Sequence, residues 1–218
     1  MNVASQSAAH TARPAGWKGL PTWVLDEFGI RVDRLGRVTI PYRLADGRLH
    51  NVRLVPGDRR WWKFRGLPLV PFGLNLQTPA RLRSYRCLAI VEGESDALAL
   101  YGSTLGADGL DVLGVPGAGT WKSAWRGHAD GYDAVYVIGD GDDAGRAFSW
   151  RARRDLVSAM VVNLPDGDDV RSILQRDGVG PLVDAIAEGE AIRQLEAALR
   201  LRREIPKAEF LASLRGTA

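Results

Sequence analysis

Cysteine, histidine and long apolar runs are scarce in this chain, and each scarcity excludes a class of protein. The 218 residues include one cysteine and three histidines, too few and too scattered for a structural zinc site or a disulfide framework. No apolar run approaches the ~20 residues that a transmembrane helix requires. Residues 1–16 are rich in Ala and Ser but contain no apolar segment, so we interpret them as a flexible tail and not as a secretory signal. We therefore expect a cytoplasmic protein without zinc.

What remains is the composition of an ordinary globular protein with a basic surface. Hydrophobic residues make up 45% of the chain and charged residues 25%, which indicates one or two small domains with a real core. The formal net charge is +3, yet arginines crowd residues 31–65, 146–154 and 193–203, whereas acidic residues gather at a few loop positions. A basic surface around an acidic centre is typical of proteins that hold polyanions near metal ions. Arginine enrichment from a GC-rich genome explains the same composition equally well.

The first third of the chain has the pattern of a short helix followed by a small antiparallel sheet. A helix is expected over residues 21–28, between Pro21 in its first turn and Gly29 after its end. Extended segments separated by turn sequences follow it, at residues 37–42, 49–55 and 61–64. Pro and Gly then interrupt residues 67–76. We therefore predict a small basic β subdomain over residues 17–80.

From Cys87 onward, apolar runs of strand length alternate with helical patterns. The strands are expected at residues 87–91, 112–115, 134–138 and 159–164, and the helices between them at residues 95–102, 120–125 and 143–157. Continuous apolar strands that alternate with helices indicate a parallel sheet covered on both faces. We therefore predict an α/β domain over residues 81–176, followed by a helical segment over residues 177–218.

Acidic residues follow three of these expected strands. Glu92 ends the first strand, and Asp96 lies in the first turn of the next helix. Asp140 and Asp142 follow the third strand and point to the same side of an extended backbone, while residues 166–169 follow the fourth. Ligands gather at the carboxyl ends of parallel strands. Crowded carboxylates repel one another unless a cation compensates, and oxygen ligands without His or Cys nearby suit Mg²⁺ or Mn²⁺.

Each acidic cluster on its own has an ordinary explanation. Glu92 and Asp96 suit the start of any helix, and Pro165-Asp166-Gly167 is a common turn sequence. The stretch that begins at Asp140 resembles an EF-hand loop, but Arg151 stands where the bidentate Glu belongs, which excludes a calcium loop. The prediction of a metal site therefore depends on the conjunction of three clusters at three strand ends in one alternating α/β unit.

The motifs around these carboxylates resemble the Toprim domain of DnaG-type primases. Val91-Glu92-Gly93-Glu94-Ser95-Asp96 looks like the first Toprim motif, and Asp140-Gly141-Asp142-Asp143-Ala144-Gly145 resembles the second. Asp166-Gly167-Asp168-Asp169 is similar to the third acidic segment of these primases, with Asp169 as the match to their metal-binding Asp. The resemblance covers residues 87–176 well. It implies the catalytic core of a primase from a phage or a mobile element.

The upstream region narrows the resemblance to primases, although its matches are looser. Arg37-Val38-Thr39-Ile40-Pro41-Tyr42 looks like the strand that opens a primase polymerase core, and Trp62-Lys63-Phe64-Arg65-Gly66 is similar to its basic strand. In primases this subdomain forms a basic ridge along the template and the nascent hybrid. The resemblance therefore implies nucleic-acid-binding roles for Arg37, Arg53, Lys63 and Arg65, each of which an ordinary solvated strand position explains equally well.

Two adjacent tryptophans, Trp61 and Trp62, lie in the last of the expected antiparallel strands. Neighbouring side chains of a strand point to opposite faces of the sheet. We therefore expect one of the two rings in the core, and the other is free to stack on a base.

The activity implied by the resemblance is template-directed synthesis of RNA primers from NTPs on single-stranded DNA during DNA replication. The enzyme would be a nucleotidyltransferase that uses two metal ions. The implied catalytic and metal-binding residues are Glu92, Asp140 and Asp142, with Asp169 as a further ligand and Asp96 as a supporting or additional one. Arg146 would lie near the phosphates of the nucleotide, although a helix surface also explains it. Complete bacterial primases add a zinc-binding domain and a helicase-binding domain. A separate zinc-binding initiation subunit and a replicative helicase are therefore the expected partners.

Two other functions stay open on the sequence. A Toprim endonuclease would hydrolyse phosphodiesters with the same carboxylates and would cleave nucleic acid without NTPs. A non-catalytic accessory subunit would bind DNA whether or not Asp140 is replaced by Asn and Mg²⁺ is present. The retained set of acidic residues argues against a vestigial site of this second kind.

Overall fold

The structure, a computed structural model, describes residues 16–57, 60–77 and 86–204, and it describes only the backbone of residues 195–204. The predicted flexible tail except Gly16, the predicted domain boundary after residue 80, and the end of the predicted C-terminal segment lie outside these ranges.

A short helix and an antiparallel sheet form the first part of the described chain. Helix α1, Thr22–Glu27, follows Pro21, and the chain turns at Gly29 with a φ of 67° that glycine adopts without strain. The strands follow in the order β1-β2-β3-β4, which are Arg31–Val32, Val38–Arg43, Leu49–Val55 and Trp61–Trp62. The predicted antiparallel sheet is confirmed, and β1 is added to it because two residues are too few to show an alternating pattern.

A parallel sheet carries the second part. Its strands are β5, Cys87–Glu92, β6, Leu110–Val115, β7, Ala134–Ile138, and β8, Met160–Val162. The order is β6-β5-β7-β8, and every neighbouring pair is parallel. Every residue of β7 is buried, as are the four central residues of the neighbouring β5, which explains their continuous apolar sequences. The predicted α/β fold class is thereby confirmed.

The helices of this part are α2, Glu94–Tyr101, α3, Thr104–Ala107, α4, Asp143–Asp155, α5, Val170–Arg176, and α6, Gly180–Glu204. The α-helix predicted over residues 120–125 is wrong. Two 3-10 helices, Ala118–Thr120 and Ser123–Ala129, take its place. Gly119 and Gly127 flank the predicted helix and limit it to a few residues, because each glycine inside an α-helix costs about 1 kcal/mol. Short 3-10 turns tolerate such a sequence.

One hydrophobic core joins the two sheets. Tyr42 of β2 and Phe72 are buried together, with their ring centroids 5.4 Å apart, in the same cluster as Val91 of β5. Phe72 also exchanges two backbone hydrogen bonds with Gly114 of β6, at 2.8 and 3.0 Å. Helix α2 is buried from residue 94 to residue 100. The small sheet is thus held near the carboxyl ends of the parallel strands.

The middle of helix α6 lies beside the edge strand β8. A Cβ atom on Gly189 would lie 2.8 Å from the carbonyl oxygen of Val161, so glycine permits a close approach of helix to strand. The Tyr136 hydroxyl donates a hydrogen bond of 2.9 Å to Glu190 Oε1. Among the residues that the structure describes, no helix combines the length and the apolarity that crossing a bilayer would require.

Candidate functional site

Glu92 is the last residue of β5 and therefore lies at the carboxyl edge of the parallel sheet. The backbone N–H of Ala118 donates a hydrogen bond of 3.1 Å to its Oε1 atom. Its other oxygen, Oε2, is buried and has no hydrogen-bond partner among the residues that the structure describes. Burial raises the pKa of Glu92, the Ala118 hydrogen bond opposes that rise, and the charge of Asp142 adds to it. One carboxylate oxygen is thus held in place while the other stays available.

Asp140 lies two residues beyond the end of β7 and has the most perturbed carboxyl group of the site. Its pKa is raised to about 8, first by burial and then by the negative charges of four other carboxylates. Those four are Asp96, Glu92, Asp169 and Asp142. The structure therefore brings all five of the carboxylates singled out from the sequence into one region, which we call the carboxylate cluster.

The first turn of α2 contributes Asp96, whose surface is only 4% exposed. Its Oδ1 atom accepts a hydrogen bond of 3.1 Å from the backbone N–H of Arg171. Burial raises the pKa of Asp96 to about 6 against the effect of this hydrogen bond, and the charge of Asp169 contributes to the rise. The turn before α2 contains Gly93 with a φ of 109°, a value that favours glycine.

Asp142 and Asp169 are held by the helices that they cap. Asp142 precedes α4 and accepts a hydrogen bond of 2.8 Å from Gly145 N. Asp169 precedes α5 and forms a capping box with Ser172, whose backbone N–H donates to Asp169 at 2.5 Å. Arg171 pairs with the other oxygen of Asp169 at 3.0 Å. Both carboxylates are therefore restrained, and each still has lone pairs for a further ligand.

The two acidic loops after β7 and β8 pack directly on each other. Gly141 N donates to Asp168 O, and Gly167 N donates to Gly141 O, both at 2.8 Å. A Cβ atom on Gly141 would overlap the carbonyl oxygen of Pro165. Glycine at position 141 is therefore required by the packing of one loop on the other, which places Asp140 beside the loop that ends at Asp169.

The other acidic residues of these loops pair with arginines on the surface. Arg146, predicted to lie near the nucleotide phosphates, forms ion pairs of 3.0 Å with Asp143 and with Asp166. Arg176 donates two hydrogen bonds, of 2.8 and 3.0 Å, to the carboxylate of Asp168. Arg146 thus lies on an exposed helix face beside the cluster, and its predicted role stays a prediction.

The four basic residues predicted to bind nucleic acid occupy different environments. Arg37 is paired with Asp33 across the turn between β1 and β2, at 2.7 Å. Arg53 is almost buried and paired with Glu94. Lys63 and Arg65 are exposed, so a continuous ridge of all four does not form in this structure. Their binding roles stay predictions.

Trp61 and Trp62 face opposite sides of the small sheet, as expected. The Trp62 ring packs edge-on against Tyr42, with the ring centroids 4.8 Å apart, whereas 44% of the Trp61 surface is exposed. A shallow groove of about 660 Å³ runs past this position, and its lining includes Arg60, Trp61, Phe64 and Arg65. Basic and aromatic side chains, with part of the Trp62 ring among them, therefore line one exposed groove.

Sequence reasoning missed Lys18, Glu94 and Arg171. Lys18 Nζ donates a hydrogen bond of 3.1 Å to Ser95 Oγ, which brings a cation from the start of the described chain to the cluster. Burial lowers the pKa of Lys18, and the charges of Arg60 and Arg171 lower it further. Lys18 is also the one non-glycine residue with a positive φ, 54°, in the described part of the chain. No local sequence pattern marks it, because its contacts are with residues far along the chain.

The donor set of the carboxylate cluster fits a divalent cation. The residues that the structure describes contain no group of three or more His, Cys, Asp or Glu side chains arranged to hold an ion by themselves. Mg²⁺, however, is commonly bound through one or two carboxylates, and water and substrate phosphates complete its shell. Two features of the cluster fit this kind of binding. The Oε2 atom of Glu92 is buried without a hydrogen-bond partner among the described residues. Repulsion from neighbouring carboxylates contributes to the raised pKa of Asp140, and a cation would offset that repulsion.

Comparison with known proteins identifies one curated relative. No family model matches this chain. The Gene 57 protein of Mycobacterium phage D29 is 36% identical over 147 residues, which are 67% of this chain and 85% of that protein.

Solved structures share the fold at lower identity. The primase fragment of the bacteriophage T7 primase-helicase protein has a TM-score of 0.67 and 17% identity, over 85% of this chain and 78% of that one. A DnaG primase catalytic domain bound to ssDNA has a TM-score of 0.58 and 20% identity, over 82% of this chain. The present chain spans 64% of that primase domain. The chain belongs to the family of the Gene 57 protein of Mycobacterium phage D29, and its fold is that of the catalytic core of DnaG-type primases.

Proposed function

We propose that this chain is the catalytic core of a DNA primase, which synthesises RNA primers on single-stranded DNA by metal-dependent nucleotidyl transfer. The observation that carries the proposal is the environment of Asp140, which lies among four other carboxylates at the carboxyl ends of the parallel strands of a primase-core fold. A structural role alone explains such a concentration of like charges poorly, since their repulsion is costly.

Mg²⁺ or Mn²⁺ is the cofactor that this chemistry favours. Glu92, Asp140 and Asp142 would hold the ions, with Asp169 as a further ligand and Asp96 in support. When bound, such ions neutralise the charge of a triphosphate and make a hydroxyl a better nucleophile. The carboxylates themselves are held for this task, Glu92 by the Ala118 N–H and Asp142 by capping α4. Because these contacts occupy part of each side chain, the ligand geometry is largely preorganised.

The single-stranded template is the proposed nucleic-acid ligand. The similar DnaG primase catalytic domain is bound to ssDNA. In the present chain Arg60 and Arg65 line the exposed groove and would bind phosphates, and Trp61 would stack on a base. Lys63 would add a further phosphate contact, and Arg37 would do so only by sharing its guanidinium with Asp33. We propose that a replicative helicase and a separate zinc-binding chain assist initiation.

The test is primer synthesis on single-stranded DNA with labelled NTPs and Mg²⁺ or Mn²⁺. The wild type is expected to make short RNA products, with a pre-annealed primer or a zinc-binding partner supplied if initiation is slow. Glu92→Gln and Asp140→Asn are expected to abolish the products. Asp130→Asn is the matched control, because Asp130 is exposed and precedes β7, toward the amino end of the parallel strands.

The same reactions distinguish the alternative functions. Metal-dependent cleavage of the labelled DNA without NTPs would establish an endonuclease instead. DNA binding that neither Mg²⁺ nor Asp140→Asn alters, with no synthesis even from a pre-annealed primer, would establish an accessory binding subunit.

A further inference from the structure

Glu94 is a buried acid that lies in the sequence between two members of the carboxylate cluster. It is the first residue of α2, two residues from Glu92 and two from Asp96, and only 3% of its surface is exposed. Its Oε1 atom accepts two hydrogen bonds of 2.5 Å, one from the Tyr42 hydroxyl and one from Arg53 Nη1. A buried charge is costly unless it is paired and hydrogen-bonded, and Glu94 is both.

Arg53 connects this acid to three parts of the structure. It belongs to β3, and its guanidinium lies 5.4 Å from the centroid of the Trp62 ring. The same Nη1 atom is 3.4 Å from the carbonyl oxygen of Pro116, at the end of β6. Two residues later, the Ala118 N–H holds Glu92. The guanidinium thus contacts the small sheet, the start of α2 and the loop that orients Glu92.

Alternate residues from the end of β5 into the first turn of α2 are therefore held by different elements. Glu92 is bonded by the loop after β6, Glu94 by the small sheet, and Asp96 by the first turn of α5. Tyr42 is fully buried and serves as a neutral donor, since burial and the neighbouring carboxylate raise the pKa of its hydroxyl well above its usual value. The small sheet reaches the turn through Glu94.

We infer that Tyr42, Arg53 and Glu94 are positioning residues, which hold the turn from Glu92 to Asp96 so that its carboxylates bind a divalent cation. This inference rests on the metal site of the proposed function. It also changes the expected role of Arg53, whose guanidinium is committed to Glu94 and Pro116 in the interior. Arg53 then acts on the reaction through the carboxylates and not through a nucleic-acid phosphate.

A second cluster of the same chemistry provides a matched control. Tyr132 donates a hydrogen bond of 2.7 Å to Asp111, and Arg86 lies 3.9 Å from the same Asp111 oxygen. Asp111 is buried like Glu94, but it is the second residue of β6 and therefore lies toward the amino end of the strands. Removing the Tyr132 hydroxyl disrupts an equivalent hydrogen bond far from the carboxylate cluster.

The experiment compares Tyr42→Phe with Tyr132→Phe in the full chain. Each variant keeps its aromatic ring and loses one hydroxyl, and both are expected to lower the melting temperature. Mn²⁺ affinity, measured by calorimetry or by the EPR signal of free Mn²⁺, is expected to fall about 10-fold in Tyr42→Phe, as for other groups that orient metal ligands. Tyr132→Phe is expected to bind Mn²⁺ like the wild type. In primer extension, Tyr42→Phe lowers kcat and leaves the KM for the template unchanged.

A further conservative variant tests the charge of Glu94. Glu94→Gln keeps an acceptor for Tyr42 but removes the charge that pairs with Arg53, and it is expected to weaken Mn²⁺ binding further. Mn²⁺ affinity in Tyr42→Phe equal to that of the wild type, or an equal loss in Tyr132→Phe, would overturn the inference. A wild type that binds no Mn²⁺ overturns the metal site and this inference together. A wild type that binds Mn²⁺ but makes no primers overturns the proposed activity alone, and the affinities still decide the positioning role.

Discussion

The backbone N–H of Arg171 donates a hydrogen bond of 3.1 Å to the Asp96 carboxylate, so the first turn of α5 contacts the first turn of α2. The same arginine pairs through its side chain with Asp169, the residue that caps α5. One residue therefore contacts two of the clustered carboxylates, with its backbone and with its side chain. The positions of these two acids depend on each other, because a movement of α5 displaces both.

The metal-free protein is expected to lose stability as the pH rises. The folded-state pKa of Asp140, about 8, lies above the usual value of 3.8, so the protonated form is favoured by folding. That contribution is fully present below pH 3.8 and is lost as the pH rises through about 8. In EDTA, urea denaturation is expected to show that Asp140→Asn gains stability relative to the wild type over this range. A wild-type-to-variant difference that does not change with pH, or the same change in Asp130→Asn, would contradict the prediction.

Divalent cations are expected to stabilise the folded wild type. A ligand that binds only the folded state at 100 times its Kd adds about 2.7 kcal/mol to the free energy of unfolding. Thermal melts with increasing Mg²⁺ or Mn²⁺ should therefore show a rising Tm in the wild type and a much smaller rise in Glu92→Gln. Equal shifts in both proteins would mean that the ions act on the surface and not at the cluster.

Gly141→Ala is expected to destabilise the protein by about 1–3 kcal/mol or more, the usual cost of overpacking. The added Cβ would overlap the Pro165 carbonyl oxygen and push the two acidic loops apart. Gly119→Ala is the control, since a Cβ there lies more than 4 Å from every described atom outside the adjoining residues. Urea denaturation of the two variants checks this prediction, and equal stabilities would show that the loops do not pack as described.

Trp61→Ala is expected to weaken binding of single-stranded DNA by about 1–3 kcal/mol, the usual value of one stacked base. The exposed Trp61 ring makes little contribution to the core, so the melting temperature should hardly change. Trp62→Ala is expected to lower the melting temperature and to affect DNA binding less, because that ring packs against Tyr42. Fluorescence-anisotropy titrations with labelled oligo(dT), beside thermal melts, separate the two effects. Unaltered DNA binding in Trp61→Ala would remove this ring from the proposed template path.

The sequence by itself determined the parallel sheet and the place of the carboxylate cluster. Strands buried on both faces, such as β7, need an uninterrupted apolar sequence, and that pattern is local. Once parallel strands are recognised, Glu92 and Asp140 must lie at one edge, because all carboxyl ends of such a sheet face the same way. The sequence did not determine the short elements, such as the two-residue strand β1 and the 3-10 helices within residues 118–129, because so few residues show no periodicity.

Only the tertiary structure decided which residues hold the cluster in place. Arg53 is 41 positions from Glu94, Asp96 is 75 from Arg171, and Lys18 is 77 from Ser95. Nothing in the local sequence distinguishes a buried, paired arginine such as Arg53 from an exposed one such as Arg65. Pairing of this kind depends on how the two sheets pack through Tyr42 and Phe72, and local periodicity carries no information about contacts at such separations.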